Sequence, residues 1–334
     1  MICPHCQTSL LYRQRPKRIC SSCGRPFALE PKESPFRLHD LRVQRLADKL
    51  SDGRGLLYTG PQLYFAAGRK TLPSTGRTYT LAAIGYTVLL AIIGTVLLAS
   101  GVLPVGPGLA GVAAVIVAVN LLLLLIRPQL LRRSTIRMDR PYPDFGTQVL
   151  RPWRRIYGAP PPRLVPDNLP LPAVPQPRIA LLCPDRSTLA CLAANGAATT
   201  WGMALCARLE QVPPNGPVLV LHDASVAGIG WARQVREALG PRAALLGLSP
   251  ASVRTAPWAV RVKEHPMESA ELPPAIGAED RQWLLDGWWS PVAALPPARL
   301  LRLVQRGVDR AEEAADPDRR RAGQVGFLTW PAPA

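Results

Sequence analysis

Two long stretches of the chain are apolar enough to dominate its hydropathy pattern. Tyr79–Leu103 is apolar throughout, and Val105–Ile126 is apolar except for Asn120. Each exceeds the roughly 20 residues a helix needs to cross a hydrocarbon core about 30 Å thick, and runs this long and pure do not read as core helices of a soluble domain. The break between them holds Pro104, Gly106, Pro107 and Gly108. So short a turn predicts a transmembrane helical hairpin over 79–126 (79–103 and 105–126), with both flanks on one side of the bilayer. Small residues recur at four-residue steps, Ala83, Thr87, Ala91, Thr95 and Ala99 on the first run and Ala110, Ala114 and Ala118 on the second. Such stripes allow close helix approach in lipid. Asn120 needs a partner across the hairpin or in a second copy of the chain, so self-association through the hairpin is one expectation. With no ionisable residue in either run, the hairpin reads as an anchor.

The pattern changes after residue 177. Arg178–Cys183 and Pro217–Leu221 read as buried strands, and Arg242–Leu248 as a third. Ser187–Ala194, ended by Asn195-Gly196, and Ala227–Leu239 read as helices between them. Apolar runs alternating with helices predict an α/β domain over 178–334 with a mostly parallel sheet. Trp283, Trp288 and Trp289 form an aromatic patch, and Pro297 opens an amphipathic helix that should pack on the sheet. Arg319–Arg321 is a short basic run, and the tail Val325–Trp330 is expected to dock on the domain.

Two segments flank the hairpin. Over 34–77, Ser34-Pro35 opens a helix whose Leu38, Leu41, Leu46 and Leu50 share a face, and Asp52-Gly53 ends it. Thr59 and Gln62 have capping-box spacing and start a second helix running to about Lys70. The two helices permit a helix-turn-helix reading, but a basic face beside anionic lipid explains the same residues more simply. Over 127–177 the chain is basic and then proline-rich, which predicts an extended linker, with Trp153 and Tyr157 at the lipid headgroups.

Charge sets the orientation. Residues 1–77 carry 14 Lys and Arg against 5 Asp and Glu, and residues 127–163 carry 9 against 2. The rest of the chain is nearly balanced, with 17 against 16 over 164–334. The excess therefore flanks the hairpin, which by the positive-inside rule puts both termini in the cytoplasm of a bacterial inner membrane. Arginine outnumbers lysine 35 to 5, as GC-rich genomes favour.

The chemistry is concentrated at the start. Cys3-Pro-His-Cys6 and Cys20-Ser-Ser-Cys23-Gly24 are two knuckles, each aiming both sulfurs at one point. Four thiolates at this spacing predict a structural zinc ribbon over residues 1–30, with iron the alternative metal for the same ligands. His5 reads as a bystander. The basic stretch Tyr12–Arg18 could touch nucleic acid, anionic lipid or an acidic protein. Cys183, Cys191 and Cys206 have no evident partners, in keeping with a reducing cytoplasm.

A second candidate group lies at the carboxyl ends of the predicted strands, where parallel sheets bind ligands: Asp185, His222, Asp223 and Ser225. The segment Leu221-His-Asp-Ala-Ser-Val-Ala-Gly228, with Gly247-Leu-Ser-Pro250 after it, resembles the Asp-x-Asp strand end of a Toprim domain. That resemblance covers about residues 178–255 and implies Mg²⁺ held by clustered carboxylates. The chain departs from it in having Asp185 as the nearest acid to the first strand and Ser225 for the second aspartate, which implies an inactive or repurposed form. No Gly-x-Ser-x-Gly elbow or phosphate loop is present, and His222 and Asp223, being adjacent on a strand, point to opposite faces. Asp223 is expected to cap the following helix. The whole chain resembles a bacterial zinc-ribbon membrane protein, a resemblance that carries no activity with it. The reading it leaves is a non-enzymatic membrane scaffold or regulator that binds a cytoplasmic protein. The alternatives are a membrane-associated nucleic-acid-binding protein and a Mg²⁺-dependent Toprim-like or hydrolase-like enzyme.

Overall fold

The computed structural model describes residues 1–69, 72, 75–101 and 104–315. The expectations for Lys70, Leu103, Arg319–Arg321 and Val325–Trp330 lie outside them. After an irregular N-terminal region come α1 (Asp40–Leu50), β1 (Tyr58–Thr59) and α2 (Gly60–Gly68). The long helices α3 (Thr75–Ala99) and α4 (Val105–Arg133) follow. Next are α5 (Tyr142–Phe145), a π turn over Gly146–Leu150, α6 (Arg151–Tyr157) and β2 (Leu164–Val165).

The C-terminal region holds a four-stranded sheet, all parallel, in the order β4-β3-β5-β6, from β3 (Ile179–Leu182), β4 (Met203–Cys206), β5 (Val218–Val220) and β6 (Ala243–Leu245). Alternate strand residues point to opposite faces. Ile179, Leu181 and Leu219 meet α7 (Arg186–Ala194), through Leu189 and Leu192, and α12 (Pro297–Ala315), through Leu300, Val304 and Val308. Ala180, Leu182, Val218 and Val220 meet Ala232 and Val235 of α9 (Val226–Leu239) on the other face. The result is a three-layer α/β arrangement. Strand β4, which follows the short helix Ala197–Trp201, was not among the predicted strands. Its four residues show no alternation of their own and are separated from that helix only by Gly202, whose left-handed φ of 55° turns the chain into the sheet. Trp283 and Trp288 stack in parallel, with centroids 6.4 Å apart, and join the same core rather than forming an exposed anchor.

The largest departure concerns the flanks of the hairpin. The first predicted helix begins at Asp40, not Ser34. Arg37 adopts a left-handed φ of 48°, which breaks the helix, and Leu38 is buried ahead of it. The supposed linker is mostly folded: Phe145, Val149 and Trp153, spaced by four, line one face of the α5–α6 segment and are buried. They share a core with Leu29, Leu38, Val43, Tyr58 and Leu63 from before the hairpin. Trp153 is therefore an interior residue and not a headgroup anchor. The prolines obscured this helix; the π turn accommodates Pro152, whose ring would clash with a carbonyl in a regular turn. Strands β1 and β2 then pair in parallel across the same join. This flank core is tied to the α/β region by hydrogen bonds, one of them buried. The Gln62 side-chain amide donates to the Leu295 carbonyl at 2.8 Å, and Asn195 exchanges two bonds with the Leu57 backbone at 2.8 and 2.9 Å.

Helices α3 and α4 are long and apolar enough to cross a membrane, and almost none of their residues is buried. They pack against each other. The Tyr79 hydroxyl donates to the Leu123 carbonyl, Thr87 donates to Asn120 Oδ1 at 3.2 Å, and Gly94 lies so close to Val112 that any Cβ there would overlap its Cγ1. Asn120 thus finds its partner within the hairpin. Helix α4 runs past the apolar segment to Arg133 and is gripped at its foot. The Lys263 ammonium donates to the Leu131 carbonyl, Arg132 pairs with Asp286 at 3.1 Å, and Ile136 and Lys263 exchange backbone hydrogen bonds of 2.8 Å. A cation at a helix C-terminus is favourable, since the last carbonyls carry partial negative charge.

Candidate metal centre

The two knuckles are built alike. Cys3 N–H donates to Thr8 O and Cys20 N–H to Arg25 O, at 2.9 and 3.1 Å; Gln7 N–H donates to Cys3 O and Gly24 N–H to Cys20 O, at 3.1 and 2.9 Å. The residue after each second cysteine is left-handed, Gln7 at φ 59° and Gly24 at φ 69°. The backbone N–H groups of His5 and Ser22 each lie 3.4 Å from the sulfur of the first cysteine, a contact that favours thiolate. All four sulfurs lie within 4.8 Å of one another, with Cys3–Cys23 at 3.9 Å and Cys6–Cys20 at 3.8 Å. A tetrahedral site with metal–sulfur bonds of about 2.3 Å requires sulfurs about 3.8 Å apart, so the residues fit a metal ion. Four protein ligands complete such a site and leave no position for a reacting water. Burial pushes the Cys3 thiol up, whereas hydrogen bonding from Thr8 brings Cys6 down to about 6.

His5 is not a fifth ligand: its Nε2 pairs with the Pro26 carbonyl at 2.9 Å, and its ring lies 6.1 Å from that of Tyr157. Tyr157 in turn hydrogen-bonds Asp40. Asp40 is fully buried and accepts the backbone N–H groups of Ala28 and Leu29, both at 2.8 Å, where the chain leaves the ribbon. Burial raises its carboxyl above the usual range, against the pull of those donors. A second buried tie is Arg15–Glu30, with Nε 2.7 Å from one carboxylate oxygen and Nη2 3.0 Å from the other. Arg18 pairs with Glu33 at 3.2 Å and Tyr12 also donates to Glu33. Two of the four basic side chains of Tyr12–Arg18 are therefore engaged in ion pairs. Neither Asp40 nor the Arg15–Glu30 pair carried a signal in the sequence, since a charged residue reads as exposed until its partner is known.

The second group is differently employed. Asp185 caps α7, accepting from Thr188 N–H and Ser187 Oγ, both at 2.8 Å. Ser225, not Asp223, caps α9, accepting from Gly228 N–H at 2.9 Å. Asp223 accepts the Val292 N–H at 2.7 Å, tying the sheet end to the segment before α12. Its carboxyl is raised, mainly by burial and further by the charge of Asp185. His222 is buried, its Nδ1–H donating to the Asp223 carbonyl at 2.8 Å, and its ring packs so tightly on Gly247 that any Cβ there would overlap it. The four residues lie just beyond the carboxyl ends of β3 and β5, with Asp185 and Ser225 spent on helix caps and Asp223 on the bond to Val292.

Burial lowers the His222 pKa, and that of His39, below the usual 6.5. A folded-state value below the unfolded one means stability is complete above pH 6.5 and falls on acidification, by at most about 1.4 kcal/mol per pH unit for each group. Asp40 and Asp223, both raised by burial, act oppositely: they lose stability as pH rises from 3.8 through their folded values, so the histidine effect is read from the difference between the native chain and a histidine variant. Denaturant midpoints measured between pH 7.5 and 5.5 should fall more for the native chain than for His222→Asn.

The molecule thus carries four cysteines that could hold a metal ion, two helices long and apolar enough to cross a membrane, and a C-terminal region with a parallel four-stranded sheet. No protein-family model, curated protein or solved structure matches it.

Proposed function

We propose that the chain is a membrane-anchored scaffold or regulator of the bacterial inner membrane, with a structural zinc ribbon facing the cytoplasm and receiving a protein partner. The observation that carries this reading is the cluster of Cys3, Cys6, Cys20 and Cys23: four thiolates close the site, so the metal holds a surface together and leaves no open position for catalysis. Zinc is favoured over iron because a closed tetrahedral thiolate site needs no redox function to be useful. The topology rests on charge and on packing. Segments before and after the hairpin share one core, which requires both on the same side of a bilayer, and the basic flanks favour the cytoplasmic side. Nucleic-acid binding is the second reading, and it has less to work with once Arg15 and Arg18 are paired to Glu30 and Glu33.

Affinity capture of the full chain from detergent-solubilised membranes tests the proposal. The native protein should retain a defined protein partner that Cys20→Ser loses. Capture of the same proteins by both forms, or a turnover that depends on Asp223, would overturn it. Steep salt-dependent binding of DNA or RNA would move the function to the second reading.

A further inference from the structure

We propose that a basic cleft at the foot of the hairpin binds the phosphate headgroup of an anionic phospholipid; this rests on the membrane-anchored reading above. The cleft has a volume of about 820 Å³ and lies between the turn that leaves the ribbon and the α5–α6 segment, with Lys32, Ser34, Arg37, Arg140 and Gln148 in its wall. A second hollow of about 310 Å³ adjoins it, and Arg37 and Arg140 line both. The second adds Phe36, Met138 and Gly68, with Asp139 its one acidic side chain.

Four observations point to an anion with an apolar body. First, Arg37 and Arg140 enter no ion pair among the described residues, whereas Glu33, the acid at the cleft, is taken by Arg18 and Tyr12. Two arginines without an ion pair lining the same space suit a phosphate, which accepts planar guanidinium forks. Second, Ser34 lines the cleft and its hydroxyl, buried beneath that wall, has no protein partner. Third, the backbone under both arginines is held. The Tyr64 hydroxyl donates to the Arg140 carbonyl at 2.6 Å, and Arg37 N–H closes a turn onto Ser34 O at 2.9 Å with Arg37 in its left-handed conformation. Fourth, the place is right for a lipid. Gly68 precedes the start of α3 by seven residues and Arg140 follows the end of α4 by seven, so the cleft lies within about 25 Å of both feet of the hairpin. Phe36 and Met138 then offer an apolar surface beside the charges, as a glycerolipid requires and a free phosphate does not.

The test uses the full chain in a non-ionic detergent, titrated with dihexanoyl phosphatidylglycerol, dihexanoyl phosphatidylcholine and glycerol phosphate. Bound ligand is read by native mass spectrometry. Phosphatidylglycerol should bind at least about ten-fold tighter than the other two, and Arg37→Gln/Arg140→Gln should remove about ten-fold of that affinity with metal content unchanged. Arg133→Gln/Arg137→Gln, which removes equal charge at the interface outside the cleft, should change it less than about three-fold. Equal losses from the two double variants, or glycerol phosphate binding as tightly as the lipid, would overturn the assignment. Carbonate extraction of native membranes separates the two levels. A chain released to the supernatant defeats the anchored reading and the lipid site with it, whereas a chain that pellets but shows no lipid preference defeats the lipid site alone.

Discussion

Cys20→Ser should abolish stoichiometric metal binding and leave residues 1–27 open to proteolysis, while the rest of the chain still pellets with membranes. Within residues 1–27 the buried apolar side chains are Leu10 and Phe27, with Cys3 and Cys20. So small an apolar cluster cannot order about thirty residues against a backbone cost of roughly 1–2 kcal/mol each. Metal binding, worth about 10–16 kcal/mol at structural zinc sites, is what remains. Metal analysis of the purified chain, with limited proteolysis before and after chelation, checks both parts. A protected N-terminus in the metal-free chain would show that Arg15–Glu30 and Asp40 suffice without the ion. Retention of native metal by the variant would show that the four sulfurs do not act as one site.

The second large effect is expected at the buried ion pair. Arg15→Leu strands Glu30, whose side chain is 1% exposed, without its counter-charge, and should cost about 3–5 kcal/mol of local stability. Replacing both, Arg15→Leu with Glu30→Leu, should recover most of that loss, because the desolvation of two ions disappears with them. Hydrogen exchange of the ribbon amides, compared across the two single variants and the double variant, measures this coupling. Additive effects of the single changes would mean that the pair is not a unit. Full recovery matters for the surface as well: it would show that Arg15 serves the ribbon's interior and not a ligand of its basic loop.

The readings drawn from periodicity and from ligand spacing fared differently from those drawn from composition. Two long apolar runs and two Cys-x-x-Cys pairs were legible because length and spacing alone specify them: the runs form two long apolar helices, and the four sulfurs come within 4.8 Å of one another. The strands at Ile179 and Val218 were equally plain, both faces being covered by helices. Composition misled where local chemistry was ambiguous. Prolines at 143 and 152 suggested an extended linker, yet the aromatic and aliphatic residues at 145, 149, 153 and 157 keep helical spacing between and beyond them. The opening at Ser34-Pro35 looked like a helix start, but the acceptor that matters is Asp40, which reaches across the chain to Ala28 and Leu29. Asp223 was expected to cap its own helix and instead holds Val292, some seventy residues on, a pairing that no local pattern encodes. Charged residues with distant partners were the common blind spot.

The shared core formed by Leu29, Val43 and Leu63 on one side of the hairpin and Phe145, Val149 and Trp153 on the other bears on how the molecule is made. A ribosome delivers the first three well before the last three, and both helices α3 and α4 must emerge in between. The early segment cannot complete its fold until the residues after the hairpin have left the exit tunnel. Lodging the hairpin in lipid brings its two feet together and shortens the loop that core formation must close, which lowers the entropic barrier to the late pairing. On the membrane-anchored proposal, insertion of the hairpin therefore comes before closure of the shared core.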